Sequence, residues 1–599
     1  MKEPRMNVND RRSQSDKKVD IKHTVKQLLI YLKPYIPIFI VVFLGNVLAV
    51  GMSLLGPYVC GKAIGQIRAD GTTDMQKITY YCILLAAVYI ASEILSYLTT
   101  IGMSLVARRM TKKMRSDLFN RLVKLPVGYF DSRQAGDVIS VLSYDVDTVG
   151  TSLAEDVMLV LKSSVQIIGS LVMMLIIAAP LVLVFAVTIP LSIILTKVLA
   201  KKVQPLYRRR SRKLGELNGF AEEVLSGQKT TRAYNREEEI ISRFAEKNNE
   251  AADANTTSEY WGTVSGPCTG FVNNLSLTLI SVIGALCFAF GWFGVGIEQI
   301  SSFVLYSRKF TGPINEIANV IGEFQSSIAA AERVFKVLAE EEEKLEEEGA
   351  EKLTDVVGNV KIENVSFGYV EGKTVLKDFS LQADAGKLVA IVGHTGAGKT
   401  TVINLLMRFY DPVSGTIYVD GKDVKTLTRS SLRSAFTMVL QDTWLFAGTV
   451  YENIAYGVEN ATRERVEEVC KAAKIHSFIT KLPQGYDTLL SDNAVNISKG
   501  QKQLLTIARA MLQPSRMLIL DEATSNVDTR TERLIQAAMS KLMEGKTCFV
   551  IAHRLSTIKN ADKILVMEDG NVVEQGTHSD LMLAQGAYYK LYNSQFESY

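Results

Sequence analysis

Six apolar runs, each close to the roughly 20 residues that carry a helix across a bilayer, occupy the first half of the chain. They are Ile36 to Leu55, Thr79 to Val106, Val157 to Ala179, Leu181 to Leu199, Phe271 to Phe293 and Ser301 to Ile321. Hydrocarbon offers no water to backbone N–H and C=O groups, so a run of this kind is held to a state that satisfies them internally, the helix. One such run fits a buried core helix equally well. Six in succession predict an α-helical polytopic membrane domain with six transmembrane helices. The third and fourth runs meet at Ala179-Pro180 with almost no loop, which predicts a tight hairpin.

Basic residues orient the runs, because short loops rich in Lys and Arg stay cytoplasmic. Arg108 to Arg133 and Lys201 to Lys213 are basic, whereas the loops near Pro57 to Met75, Pro180 and Gly296 carry few such residues or almost none. Both termini are therefore expected on the cytoplasmic side of a cell membrane. Stretches 107–150 and 201–260 are polar, helix-favouring and too long for turns; they read as helices running on into the cytosol. Residues 1–27 form a polar, basic segment without the pattern of a cleavable signal peptide. Residues 28–336 are then the transmembrane domain, 337–359 an acidic linker solvated around Glu340 to Glu348, and 360–599 a second domain. Lys162 and Lys197 lie near helix ends, where their ammonium groups can snorkel. Arg308 and Lys309 lie deeper in the sixth run; either they line a polar cavity or the span begins earlier.

A chain of 599 residues exceeds what a single core supports. Its 67 Lys and Arg against 63 Asp and Glu leave a net charge of +4, far from the basic excess that marks a nucleic-acid partner. The six cysteines, Cys60, Cys82, Cys268, Cys287, Cys470 and Cys548, have no metal-ligand spacing, which speaks against structural zinc and a disulfide framework.

The second half changes character. Residues Gly393, His394, Thr395, Gly396, Ala397, Gly398, Lys399 and Thr400 fit GxxxxGK[ST] at each fixed position, directly after the strand-like run Leu388 to Val392. Such a loop turns successive N–H groups onto an anion in front of a helix N-terminus. Lys399 is placed to reach the β- and γ-phosphates, and the Thr400 hydroxyl to ligate Mg²⁺. An amphipathic helix is predicted from Thr401 to Phe409. Tyr369, about 25 residues upstream, can stack on a nucleobase, although a tyrosine there also fits a strand edge. The run Met517 to Leu520 reads as a central parallel strand, ending in Asp521 and Glu522. Asp521 suits Mg²⁺ and Glu522 suits a general base on the attacking water. Cys548 to Ala552 reads as a further strand delivering His553 to the same edge. Ser498, Lys499, Gly500 and Gln501 open a helix, as a second anion site or as an ordinary cap.

In this order the motifs resemble the ATP-binding cassette exporter family, in the form of a half-transporter with one six-helix membrane domain fused to one α/β P-loop nucleotide-binding domain; the likeness runs from about residue 25 to the end. The resemblance implies the following roles. Tyr369 stacks on adenine, residues 393–401, including Thr401, form the phosphate loop, and Gln441 contacts Mg²⁺ and faces the membrane domain. Ser498 to Gln501 are the signature that closes over the ATP of a partner, Asp521 and Glu522 the metal and base pair, Ser525 to Asp528 the D-loop, and His553 the switch histidine. Leu125 to Asp131 and Gly136-Asp137 resemble the first intracellular loop, and Glu222, Gly227 and Arg236-Glu237 the second; both carry coupling helices. ATP and Mg²⁺ are the implied cofactors, and a second half-transporter is the implied partner. Ser491 to Asn496 lacks the glutamate- and glycine-containing pattern usual before the signature, which favours a heterodimer over a homodimer. The implied function is ATP-driven export of an amphipathic, drug-like or lipid-like solute through a membrane. A dedicated peptide or lipid exporter or flippase is the near alternative, and an ATP-gated channel or regulatory membrane ATPase the distant one.

Overall fold

The computed structural model describes residues 21–67, 73–343, 346, 349–370, 372–441, 443–490, 497–521, 528–552 and 555–596, apart from the side chains at 265, 269, 315, 318, 319, 321, 555, 556, 595 and 596. The chain divides into two compact units: residues 1–123 with 135–340, and residues 124–134 with 341–599.

Five long helices build the first unit: α1 (Ile36–Ile64), α2 (Met75–Val123), α3 (Val157–Ser226), α4 (Glu237–Ala289) and α5 (Ile297–Ala339). The third and fourth apolar runs both lie on α3, which is interrupted at Ala178, with φ −157° and ψ 76°. The chain reverses there, since Leu171 and Leu175 line the same concavity as Leu183 and Ile189, residues that a straight helix would hold far apart. The expected hairpin is therefore present, one residue before Ala179-Pro180. Among the described residues four stretches, Ile21–Ile64, Met75–Val123, Ala135–Ser226 and Glu237–Ala289, are long and apolar enough to cross a membrane. α5, which carries the sixth run, falls short of that measure. The fifth run was expected to reach Phe293, but α4 ends at Ala289 because Gly291 (φ 66°), Phe293 (φ 59°) and Gly294 (φ 64°) turn the chain in the left-handed region.

Small residues let α1 sit close to its neighbours. A Cβ at Gly45 would press on Thr99, one at Gly56 on the Tyr89 hydroxyl, and one at Gly61 on Ser302, and the Ser92 hydroxyl donates to the Ala49 carbonyl at 2.9 Å. Without a hydrophobic drive between helices in lipid, close backbones and such hydrogen bonds hold the bundle. Past the apolar runs the helices continue as polar rods. α2 extends to Val123, and α3 runs to Ser226, where Gly227 breaks it before the short helix Gln228–Ala233 and the restart at Glu237. Arg333 clamps buried Asp145 with two hydrogen bonds of 2.8 and 2.6 Å.

The second unit is layered. A sheet in the order β12-β11-β3-β10-β9-β6 uses β3 (Leu388–Gly393), β6 (Phe436–Val439), β9 (Met517–Asp521), β10 (Thr547–Ile551), β11 (Lys563–Glu568) and β12 (Asn571–Gly576). All its pairings are parallel except β11 with β12. A second, antiparallel sheet in the order β2-β1-β4-β5 is formed by β1 (Val360–Phe367), β2 (Leu376–Ala383), β4 (Ser414–Val419) and β5 (Lys422–Asp423). The central parallel strands are apolar throughout because both faces are covered. Val389, Ile391, Ile519, Phe549 and Ile551 join one core with the second sheet, while Ala390, Val392, Leu518, Leu520 and Val550 join another, under helices.

The acidic stretch is not simply a solvated linker. Glu343 makes hydrogen bonds of 3.0 and 2.5 Å with Arg433, Glu346 accepts from the Arg429 amide at 2.9 Å, and Leu353 is buried in the core. Opposite charges on the adjoining helix dock what composition alone reads as solvated. The helix expected to reach Phe409 instead stops at Leu406. Arg408 turns left-handed at φ 49° and buries its guanidinium, donating to the carbonyls of Val424 at 2.7 Å and Leu427 at 2.8 Å.

Candidate functional site

The site stands at the carboxyl ends of four neighbouring parallel strands. Across the sheet Ile391 pairs with Ile551 and Ile551 with Asp521, while Leu520 pairs with Val439. The phosphate loop, Asp521 and Gln441 therefore leave the sheet at one edge, where open parallel sheets bind ligands. Glu522 and His553 lie outside the described residues, as do Ser491 to Asn496 and Ser525 to Val527. Glu522 directly follows β9 in sequence, and His553 lies two residues past β10.

The loop turns as its glycines permit. Gly396 has φ 89° and Gly398 φ 97°, a region that costs a side-chain-bearing residue energy. Gly393 passes so close to the Met567 carbonyl that no Cβ fits. Ala397 and Thr401 are buried, His394, Thr395 and Thr400 exposed. The Lys399 ammonium turns back onto the loop, donating to the carbonyls of Gly393 at 2.7 Å and His394 at 2.9 Å. Burial lowers its pKa from the ordinary lysine value, and the Asp521 carboxylate works in the opposite direction. Asp521 thus lies within electrostatic reach of Lys399. Thr400, exposed Gln441 and half-buried Asp521 offer hydroxyl, amide and carboxylate oxygens, donors of the kind Mg²⁺ takes.

Tyr369 is not a mere strand-edge core residue. The residue is 44% exposed, and its hydroxyl donates to Thr401 Oγ1 at 3.1 Å and accepts from Asn404 at 3.0 Å. Phe367 and Tyr410 meet the ring edge-on, each at 5.0 Å between centroids. Sequence reasoning missed Tyr410. Its hydroxyl donates to Asp131 at 2.6 Å, and a Cβ at Gly128 would lie 3.0 Å from its ring. Asp131 and Gly128 belong to the short helix Val127–Asp131, which clusters with the second unit although long helices of the first flank it in sequence. The first of the two loops expected to carry coupling helices thus packs on Tyr410, whose ring meets Tyr369. The second, around Gly227 and Arg236, stays with the first unit. Tyr410's pKa is pushed up by burial first and the Asp131 hydrogen bond second.

Ser498 caps the helix α7 (Lys499–Leu512), the second helix start that the sequence offers to an anion after that of α6 (Lys399–Leu406). Its hydroxyl accepts from the Gln501 amide at 3.2 Å while Gln501 returns a side-chain bond to the Ser498 amide at 2.9 Å. This reciprocal box satisfies two of the donors at the helix start. Lys499 is exposed and Gly500 buried. Asp528 caps Thr529–Met543, accepting from the Thr531 amide at 2.9 Å.

The family model for the ABC transporter transmembrane region matches residues 39–314, and that for the ABC transporter matches residues 376–525. Relatives share nearly the full length. An uncharacterized ABC transporter ATP-binding protein, YfiC, of Bacillus subtilis is 42% identical over 96% of this chain and 95% of its own. A fatty acid ABC transporter ATP-binding/permease protein of Mycobacterium bovis is 41% identical over 90% of this chain and 88% of its own. An ATP-dependent lipid A-core flippase of Idiomarina loihiensis is 34% identical over 97% and 99%. With a helical membrane domain and a phosphate-loop domain fused in one polypeptide, the chain belongs to the ABC transporter family, as a multi-pass exporter half-transporter that couples ATP hydrolysis to transport.

Proposed function

We propose that this half-transporter exports an amphipathic, lipid-like solute across the cell membrane by alternating access, with its nucleotide-binding domain and both termini in the cytoplasm. The observation that carries this reading is the convergence of the phosphate loop, Asp521 and Gln441 at one sheet edge, in a chain whose relatives bear the printed names of a fatty acid transporter and a lipid A-core flippase. Those names favour the lipid-like end of the range over drug-like solutes. Tyr369 holds the base, and the amides of 393–401 with Lys399 hold the phosphates. Thr400, Gln441 and Asp521 hold Mg²⁺, which when bound neutralises charge on the transferring phosphoryl group. Glu522 orients and deprotonates the attacking water, and His553 contacts the γ-phosphate. Ser498 to Gln501 serve the ATP of a second half-transporter, and the departure at Ser491 to Asn496 favours a different chain over a second copy.

The test uses the purified complex in lipid vesicles. Glu522→Gln is expected to keep ATP affinity within about twofold while turnover falls by about 100-fold or more, since only the base is lost. Unchanged hydrolysis removes Glu522 from this role. Accumulation of a fluorescent fatty acid against its gradient, abolished in Glu522→Gln, supports export; downhill movement without hydrolysis supports a channel. Full stimulated activity of the chain purified alone overturns the heterodimer.

A further inference from the structure

Lys309 lies on α5 within an apolar run, half-buried, and its surroundings follow from a proline on another helix. Pro57 has no N–H, so the Ser53 carbonyl, four residues earlier on α1, loses its helical donor. The Lys309 ammonium takes that carbonyl at 2.9 Å and also donates to the Ser53 hydroxyl. One turn earlier on α5, the Tyr306 hydroxyl donates to the next carbonyl, that of Leu54. The Tyr89 ring lies 5.5 Å from the ammonium, and Gln166 on α3 donates to the Lys309 carbonyl at 3.2 Å. The ammonium of Lys309 on α5 is thus held by α1 and faces a ring of α2, while α3 fixes its backbone.

Its charge is not neutralised. Carbonyl, hydroxyl and ring solvate a cation without cancelling it, and two bonds to Ser53 leave the third ammonium donor for another acceptor. Elsewhere in the same unit, cations meet carboxylates: Lys62 pairs with Glu298 at 2.6 Å, Arg333 with Asp145 at 2.6 Å and Lys213 with Glu250 at 2.8 Å. Among the described residues no carboxylate lies within ion-pair distance of Lys309 or of exposed Arg308 beside it. Glu93 and Lys162 act on Lys309 only at longer electrostatic range, and Glu316 is engaged by the Ser163 hydroxyl at 3.2 Å. A charge placed in an apolar segment without a partner marks a ligand path more often than a structural need.

We infer that Lys309, with Arg308 beside it, binds the anionic headgroup, carboxylate or phosphate, of the amphiphile this protein carries. The inference rests on the export reading for its transport consequence, but binding itself can be measured without ATP. The experiment titrates the full complex in phosphatidylcholine nanodiscs with oleate, dodecyl phosphate and neutral oleyl alcohol, for wild type, Lys309→Gln and Lys309→Arg. Wild type is expected to bind the anions, Lys309→Gln to bind them about tenfold more weakly, and Lys309→Arg to retain most of the affinity, as befits a charge-assisted hydrogen bond. Affinity for oleyl alcohol should move less than twofold in either variant. A loss confined to oleate or to dodecyl phosphate identifies which headgroup is used. Equal weakening of anions and alcohol, unchanged anion affinity in Lys309→Gln, or no binding of either anion by wild type overturns the inference. If Lys309→Gln does not fold, Lys309→Arg and Arg308→Gln carry the test: loss of anion affinity in Lys309→Arg, or none in Arg308→Gln, counts against it. Binding without ATP-driven movement would instead leave the headgroup site standing and remove export.

Discussion

The Lys399 ammonium is held by two carbonyls of its own loop within the field of Asp521. The GxxxxGK[ST] pattern places it in a phosphate loop because the pattern is local: each glycine serves a backbone turn a few bonds away. Its two bonds to the Gly393 and His394 carbonyls and the field of Asp521 come from the fold. Tyr410 and Arg408 gave no signal of this kind, since their partners lie at Asp131 and at Val424 and Leu427. The two cysteines of the second unit make a residue-scale prediction. Burial pushes Cys470 up to about 11 and Cys548 up to about 12, so at pH 8 the thiolate is a trace in both, and the thiolate is the reactive form. With Cys60, Cys82, Cys268 and Cys287 changed to Ser, iodoacetamide should leave the folded protein unlabelled by mass spectrometry over an hour and add two equivalents in urea. Labelling of either thiol at the rate of free cysteine would show that these positions are not sealed.

At the scale of elements, the period of the apolar residues carried most of the information. Continuous runs without alternation marked β3, β9 and β10 as strands covered on both faces, and the pleat then sends Ile519 and Leu520 to opposite cores. Ends were less legible. α6 stops where Arg408 finds buried carbonyls, and α4 where three residues turn left-handed, both outcomes that depend on what surrounds the chain. The start of α7 was readable either as an anion site or as a cap, and the reciprocal Ser498–Gln501 bonds establish the cap. Ser498→Ala should therefore lower the unfolding free energy of the second unit by about 1 kcal/mol, read from urea denaturation. It should lower stimulated ATPase much further if the same hydroxyl also serves a partner's phosphate. A variant with reduced stability and full ATPase would confine Ser498 to capping.

At the scale of the whole molecule, residues 124–134 group with residues 341–599. They sit in sequence between helices of the membrane unit, yet the short helix Val127–Asp131 packs with the nucleotide-binding unit through Tyr410, itself edge-on to Tyr369. If occupancy of the phosphate loop is conveyed through this side chain, Asp131→Ala should keep KM for MgATP within about twofold while kcat for ATP falls several-fold, the split expected of a positioning residue. Equal loss in both parameters would make Asp131 a stabilising contact only. By itself the sequence determined the division into an apolar helical half and an α/β half, the phosphate loop and the apolar strand that ends in Asp521 and Glu522. These are properties of period and local turn geometry, which a chain carries in neighbouring residues. Only the tertiary structure decided that the acidic stretch docks on Arg433, that of the two loops expected to dock on a nucleotide-binding domain the first groups with this chain's second unit and the second does not, and that Lys309 meets the carbonyl freed by Pro57. Each of these joins residues distant in sequence, and their affinity for one another exists only once the backbone has brought them together.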